Sequence, residues 1–381
     1  MRGFPLRPAW AEVDLSAIAH NVSQFRKHVS SQTRLMAIVK ADGYGHGAVE
    51  VAREAVAAGI SFLGVGMVEE AVQLRDSGLD TPILILGFTP KNYAPYLCEY
   101  NLTPTVFTPD EAEAFSQAAV KSGRTLNVHV KVDTGMGRVG CFPCEEADDF
   151  IMYVAGLPGL HVTGLYTHFA SADHSDKGYA KWQFGRYMQL VRRLEERGMR
   201  IPVKHAANSA AAISMPETHL DLVRVGISLY GLYPSDEVSR DEICLRPAMS
   251  LKAQIIYVKD VPAGTSISYG STYVAAEPSR IGTLPLGYGD GYRRGLSNRG
   301  QVLVRGQRVP VVGRVCMDQT LVNISGVEGA AAGDEVVLFG RQDHALLPVD
   351  EVARWLDTIN YEVVTSISRR VPRIYLKETE I

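Results

Sequence analysis

Short apolar runs recur along the first two thirds of the chain, at 35–40, 62–67, 82–87, 103–108, 127–133, 161–168, 203–208 and 222–226. Each is continuously apolar rather than alternating, the pattern of a parallel strand covered on both faces. Helical stripes separate them. Thr108-Pro109-Asp110-Glu111 reads as a capping box with proline at the first helical position, opening a helix over 110–122 that Gly123 ends. Over 179–197, Phe184, Tyr187, Met188, Val191 and Leu194 form one stripe, stopped by Gly198. Eight such units in roughly 250 residues predict a (β/α)8 barrel of the TIM type. An open doubly wound sheet would use fewer strands.

After Cys244 the texture changes. Runs at 249–261, 280–286, 301–304, 308–315, 320–324 and 335–339 are divided by Gly, Pro and Asp turns, with Gly306-Gln307 as a hairpin turn and one helix over 350–358. The pattern predicts an α/β chain: a barrel over 1–244, then a mostly antiparallel β domain over 245–381. The segment 1–13, through Trp10–Val13, could supply a strand to the second domain.

Composition narrows the function classes. Apolar residues at 46% and charged residues at 21% fit a globular protein and not a disordered one. A net charge of −3 implies no basic surface for nucleic acid. No apolar run approaches the about 20 residues of a spanning helix, and Arg7 interrupts the N-terminal segment, so no membrane partner or secretory signal is expected. Five cysteines, an odd number spread along the chain, suggest reduced thiols and a cytoplasmic location. Cys141 and Cys144 form a lone CxxC with no second pair, so no metal is expected.

In a barrel, chemistry collects at the carboxyl ends of the strands. The first strand ends in Val39-Lys40-Ala41-Asp42-Gly43-Tyr44-Gly45-His46-Gly47. A lysine there either snorkels to the rim or is an amine kept uncharged to form an imine. The fifth gives Lys131-Val132-Asp133-Thr134-Gly135-Met136-Gly137-Arg138-Val139-Gly140. Its glycine spacing matches a dinucleotide fingerprint, but no helix opens directly after it, so a loop that admits a ligand is the better reading. The remaining ends are Thr167-His168, His205-Ala206-Ala207-Asn208-Ser209 and Arg224-Val225-Gly226-Ile227. Ser209 opening a helix beside the Gly226 and Ile227 amides suits a phosphate. A strand-end lysine, an arginine and an anion site together suggest pyridoxal phosphate.

These motifs resemble those of alanine racemases, in order and over nearly the whole length. Besides the strand ends, the likeness rests on Ile267-Ser268-Tyr269-Gly270, Gly287-Tyr288-Gly289-Asp290-Gly291-Tyr292, Cys316-Met317-Asp318, Tyr361-Glu362-Val363 and Arg370-Val371-Pro372-Arg373. The resemblance implies that Lys40 carries pyridoxal 5'-phosphate and acts as one base. Tyr269 is then the second base, delivered from the other subunit of a homodimer, with His168 between Tyr269 and Arg224. Arg224 faces the pyridine nitrogen. Tyr44, Asn208, Ser209, Gly226, Ile227 and Tyr361, with His168, complete the cofactor set. Arg138, Met317, Tyr288 and Asp318 meet the substrate, and Lys131 matches a position carbamylated in many members, where it fixes Arg138. Thr365 stands where many members have cysteine.

Inverting a stereocentre requires removing a proton on one face and returning one on the other, which two opposed bases do without moving the substrate. Burial should lower the Lys40 pKa, and a cationic His168–Arg224 relay should lower that of Tyr269. The implied activity is interconversion of L- and D-alanine, supplying D-alanine for peptidoglycan. A serine-preferring racemase remains open. A fold-related decarboxylase of basic amino acids would carry an acid where Arg224 stands and a cysteine where Tyr269 stands. A non-catalytic cofactor-handling relative would lack the region after Cys244.

Overall fold

The computed structural model describes residues 7–377. They divide into two compact units. One comprises Ala17–Gly43 and Ala48–Arg246; the other comprises the described residues through Ser16, Tyr44–Gly47 and those from Pro247 onward.

The first unit is the (β/α)8 barrel. Its strands are Arg34–Ile38, Phe62–Val65, Ile83–Ile85, Thr103–Val106, Leu126–Lys131, Leu160–Tyr166, Val203–His205 and Leu222–Val225. The first seven pair in parallel in sequence order, and the eighth pairs with the first through Leu35↔Val223 and Met36↔Arg224. Between the seventh and eighth strands only backbone bonds flanking the ladder close the ring: Asp221 N to Lys204 O at 3.1 Å and Arg224 N to Ala207 O at 3.1 Å. The strands run shorter than their apolar runs because the last residues of each run turn outward into the loops that carry polar groups.

Local chemistry explains the helix ends. Thr108 Oγ1 accepts the Glu111 amide at 3.4 Å, Glu111 reaches back to the Thr108 amide at 3.1 Å, and Gly123 closes the helix Pro109–Ser122 in a left-handed conformation. Reciprocal caps of this kind contribute about 1 kcal/mol each.

The second unit centres on a seven-stranded sheet. Ala9–Asp14 lies between Met249–Gln254, antiparallel, and Arg373–Leu376, parallel. The run at 249–261 is two strands and not one: Met249–Gln254 belongs to this sheet, while Tyr257–Val261 pairs Ser279–Leu284 in a separate three-stranded sheet. The break at Ile255–Ile256 carries no Gly or Pro, so composition does not mark it. Gln301–Val304 and Gln307–Pro310 form a hairpin, but its two-residue turn is Arg305-Gly306, both at positive φ (49° and 71°), and not Gly306-Gln307, which leaves Gln307 in the second strand. Tyr44–Gly47 joins this unit because Gly45 O accepts from Arg373 Nε and Nη2 at 2.9 and 2.8 Å, and a Cβ on Gly45 would lie 2.3 Å from Val364 O. Among the described residues no helix is long and apolar enough to cross a membrane.

Candidate active site

The polar strand ends of the barrel gather one set of charged groups. Lys40 follows the first strand and begins a turn in which Ala41, Asp42 and Gly43 are all left-handed, with φ of 51°, 54° and 61°. Non-glycine residues there cost roughly 1–2 kcal/mol each, so surrounding contacts must hold the turn. Gly43 N donates to Val39 O at 2.9 Å, and Asp42 Oδ1 accepts from Ala48 N at 3.1 Å. Lys40 is exposed at the strand end, yet atoms packed around its amine and the nearby Arg138 lower its pKa, while Glu70 raises it.

Lys131 ends the fifth strand, 3% exposed. Its ammonium lies 5.6 Å from the Tyr166 ring centroid and pairs with no carboxylate among the described residues. Burial first, then Arg138 and Arg224, depress its pKa to about 8. The glycine loop beyond it folds around Asp133, whose oxygens accept the amides of Gly135, Gly137 and Arg138 at 3.0, 3.1 and 3.1 Å. Burial opposes the Asp133 charge, but these amides outweigh it and hold the carboxyl below its usual range. The amides that a dinucleotide phosphate would need are thus already used.

Arg224, on the eighth strand and 3% exposed, is held from all sides. Nη2 donates to Thr167 O, Ala206 O and His168 Nδ1 at 2.8, 2.9 and 3.2 Å, and Nη1 to His205 Nδ1 at 3.0 Å. Burial lowers it to about 10, which leaves it charged at neutral pH. An arginine can only donate, so both histidine nitrogens facing it are acceptors and their protons sit on Nε2. His205 Nε2 then donates to His129 Nδ1 at 3.0 Å. Burial, and after it Arg224, hold His168 well below its ordinary value. His168 is therefore neutral, and the expected cationic relay reduces to one cation, Arg224, with a neutral imidazole beside it.

Ser209 Oγ accepts the Gly226 amide at 2.8 Å, and Asn208 Oδ1 caps the short helix Ser209–Ser214 through Ala211 N at 3.0 Å. Ile227 follows, buried. The second unit carries the other expected residues. Tyr44 and Tyr361 stand with ring centroids 6.1 Å apart, and burial raises Tyr44 to about 12. Thr365 Oγ1 donates to Tyr361 O at 2.6 Å, one turn back in the helix Asn360–Thr365. Tyr269 is 71% exposed on a turn with Ser268, Gly270 and Ser271 at positive φ. Ser268 Oγ anchors that turn to Arg314 O at 2.7 Å. Tyr288 N and Gly289 N donate to Cys316 O and Met317 O, both at 2.9 Å, and Arg370 pairs with Asp318 at 2.6 Å.

Residues 13–234 match the sequence profile of the alanine racemase N-terminal domain, and 248–375 that of the C-terminal domain. The chain belongs to the alanine racemase family. An alanine racemase of Desulfovibrio desulfuricans is 53% identical over 371 residues, covering 97% of this chain and 99% of the relative. The alanine racemase of Clostridium difficile 630 superposes with a TM-score of 0.95 at 39% identity, over 98% of this chain and 97% of the other. A structure of that enzyme in complex with cycloserine gives 0.93 at 38% identity, over 99% and 98%. As an alanine racemase family member, the protein is a pyridoxal-phosphate-dependent isomerase that interconverts the enantiomers of alanine.

The donor set fits that cofactor. A lysine with a lowered pKa stands at a strand end. Arg224 keeps Nε–H with no acceptor among the described residues, as a ring nitrogen requires. Lys40, Lys131, Arg138 and Arg224 pair with no carboxylate among the described residues, which suits an anionic ligand. Three contributors escaped the sequence reading. His129 lies within an apolar run, and the period of two along 127–131 puts it on the same side as Lys131. Tyr166 stacks on His205 at 4.7 Å and lies 5.3 Å from the Arg224 guanidinium. Glu70 stands three residues past Met67, whose side chain cannot cap, so no capping-box signal marks it in the sequence.

Proposed function

We propose that Lys40 and Tyr269 are the two opposed bases of the racemisation, Tyr269 being supplied to each barrel by the partner chain of a homodimer. Bound at Lys40, pyridoxal phosphate supplies an electron sink that makes the α-proton removable. The observation that carries the reading is the Arg224 arrangement: a charged, fully held guanidinium whose neighbours are neutral imidazoles and carbonyls.

The chain's own groups divide the remaining work. Arg224 presents a donor that does not give up its proton, and would therefore hold a pyridine nitrogen bound there unprotonated. The lowered pKa of Lys40 raises the share of neutral amine that can accept a proton at its Nζ. His168, accepting from Arg224 at Nδ1, carries its proton on Nε2 and can donate it to the Tyr269 oxygen of the partner chain. Ser209 with the Gly226 and Ile227 amides, together with Tyr44 and Tyr361, holds the phosphate. Arg138, with Met317, orients the substrate carboxylate. The product D-alanine then serves peptidoglycan synthesis in the cytoplasm.

Mixing two inactive variants tests the shared site. Lys40→Thr and Tyr269→Phe homodimers should each racemise alanine at least about a hundredfold more slowly. After subunit exchange, about a quarter of the sites regain both bases and that share of activity returns. In deuterium oxide, Tyr269→Phe should still exchange the α-proton of one enantiomer. No recovery on mixing, with equal loss of exchange for both enantiomers, would overturn the assignment.

A further inference from the structure

We infer that Glu70 is a positioning residue for Lys40: its carboxylate clamps the left-handed turn that begins at Lys40 and places a negative charge beside the amine. The inference rests on the reading of Lys40 as cofactor anchor and base, and extends it to a residue outside the strand ends.

The geometry is specific. Glu70 lies in the first turn of the helix Val68–Asp76, which follows the second barrel strand. Its Oε1 accepts the Ala41 amide at 2.6 Å. Its Oε2 accepts the Gly66 amide at 2.7 Å and the Met67 amide at 3.3 Å. One carboxylate thereby joins the end of the second strand to the residue directly after Lys40. Gly66 lies against the lysine stem, since a Cβ built on it would stand 3.7 Å from Lys40 Cβ and 3.9 Å from Cδ. Three amides directed at one carboxylate exceed what a helix cap needs, because a cap serves only the amides at the helix start. The Ala41 bond, 29 residues away in sequence, serves the lysine turn.

Ala41 and Asp42 adopt a conformation that L-residues disfavour, and the Ala41 amide lies two residues past Val39, whose amide makes the last backbone bond to the second strand, at Gly64 O (2.8 Å). Without the carboxylate, that amide loses its acceptor and the turn its main tie to the barrel wall. The titratable groups around the Lys40 amine are Glu70 from the helix Val68–Asp76, Arg138 and Lys131 from the fifth strand and its loop, and the neutral His168 after the sixth. Glu70 is the acidic one among them. It raises the Lys40 pKa, against the burial and Arg138 that lower it.

Glu70→Gln separates position from charge. The amide keeps the shape and one acceptor oxygen, so it can serve Ala41 or Gly66 but not both. In the holoenzyme, backbone amide exchange at Ala41 or Gly66 should accelerate by about tenfold or more. The kcat should fall about tenfold with KM less affected, as expected of a misplaced base. The acid limb of kcat/KM should move to lower pH, because loss of the negative charge favours the neutral amine. Glu70→Asp, too short to span both segments, should not restore exchange protection. Wild-type kcat, an unmoved acid limb and retained amide protection in Glu70→Gln would overturn the inference. Borohydride trapping distinguishes this from failure of the parent reading. Label on the Lys40 peptide with an unaffected Glu70→Gln enzyme refutes only the role of Glu70, whereas label on another peptide refutes the role of Lys40 itself.

Discussion

Replacing Lys131 by methionine removes a buried ammonium that pairs with no carboxylate among the described residues. Lys131 is 3% exposed, and burial, Arg138 and Arg224 bring its pKa from 10.5 down to about 8. Held protonated below pH 8, it opposes folding by about 3 kcal/mol. The sign follows from proton binding: between about 8 and 10.5 the unfolded chain keeps the proton and the native state has lost it, so stability rises with pH across that window. Lys131→Met lacks the titration, so its stability profile should be flat there. It should exceed that of the unmodified wild type by up to about 3 kcal/mol at pH 7.

The same depression prepares a reaction. Roughly a fifth of such amines are neutral at pH 7.4, against about one in a thousand at the usual lysine value. A neutral Nζ attacks carbon dioxide: an N–C bond forms, one proton passes to solvent, and a carbamate anion replaces the cation. It would then face Arg138 and Arg224, turning repulsion into attraction. We expect wild-type protein in 13C-bicarbonate to show a carbamate carbon resonance that Lys131→Met lacks, and to be stabilised by bicarbonate at pH 7. The variant should bind alanine at least about tenfold more weakly, because no carbamate can then form to face Arg138. Urea unfolding across pH 7–10.5 and 13C spectroscopy check these outcomes. A wild type without the resonance, whose stability runs parallel to that of Lys131→Met at every pH, would refute the reasoning.

Arg224→Glu is expected to let the pyridine nitrogen take a proton and so to raise conversion of alanine to its keto acid, read with a coupled lactate dehydrogenase assay; an unchanged keto-acid yield would contradict the donor role. Gly164→Ala is expected to destabilise the barrel by about 1–3 kcal/mol in urea, because its Cβ would lie 2.5 Å from ring atoms of His129, which is hydrogen-bonded to His205 and cannot turn away freely.

Much of this architecture was legible in the chain because parallel strands covered on both faces write themselves as apolar runs. Positions 103–108 and 127–133 show this, with strands at Thr103–Val106 and Leu126–Lys131. The capping box at Thr108 was equally visible, being a purely local arrangement. The second unit was less so. Nothing in the composition of 249–261 says that Ile255 is a corner between two sheets, since that depends on partners far away in sequence. The pairs Ser266–Ile267 with Tyr273–Val274 and the strand Arg373–Leu376 are short and part of no apolar run. At the site, the motif residues were readable as a set, but protonation was not. Whether His168 is cation or neutral acceptor depends on Arg224 standing 3.2 Å from Nδ1, which is a tertiary fact.

That protonation pattern bears on why histidines, and not acids, surround Arg224. A buried guanidinium needs acceptors, and a carboxylate would serve it most strongly. A carboxylate would also cancel the charge and weaken the field that Lys40, Lys131, Arg138 and Arg224 jointly direct at an anionic ligand. Two backbone carbonyls and two neutral imidazoles satisfy the donors while leaving the charge in place. The imidazoles stay neutral because burial first, and then nearby cations, depress them: His129, beside Arg34 and Arg224, is brought to about 3, and His168 and His205, both facing Arg224, fall well below their ordinary value. The cations and the histidines therefore sustain each other's state. An acid substituted at His205 should act through Arg224 as strongly as a change at Arg224 itself, although it lies a full hydrogen bond further from the ligand.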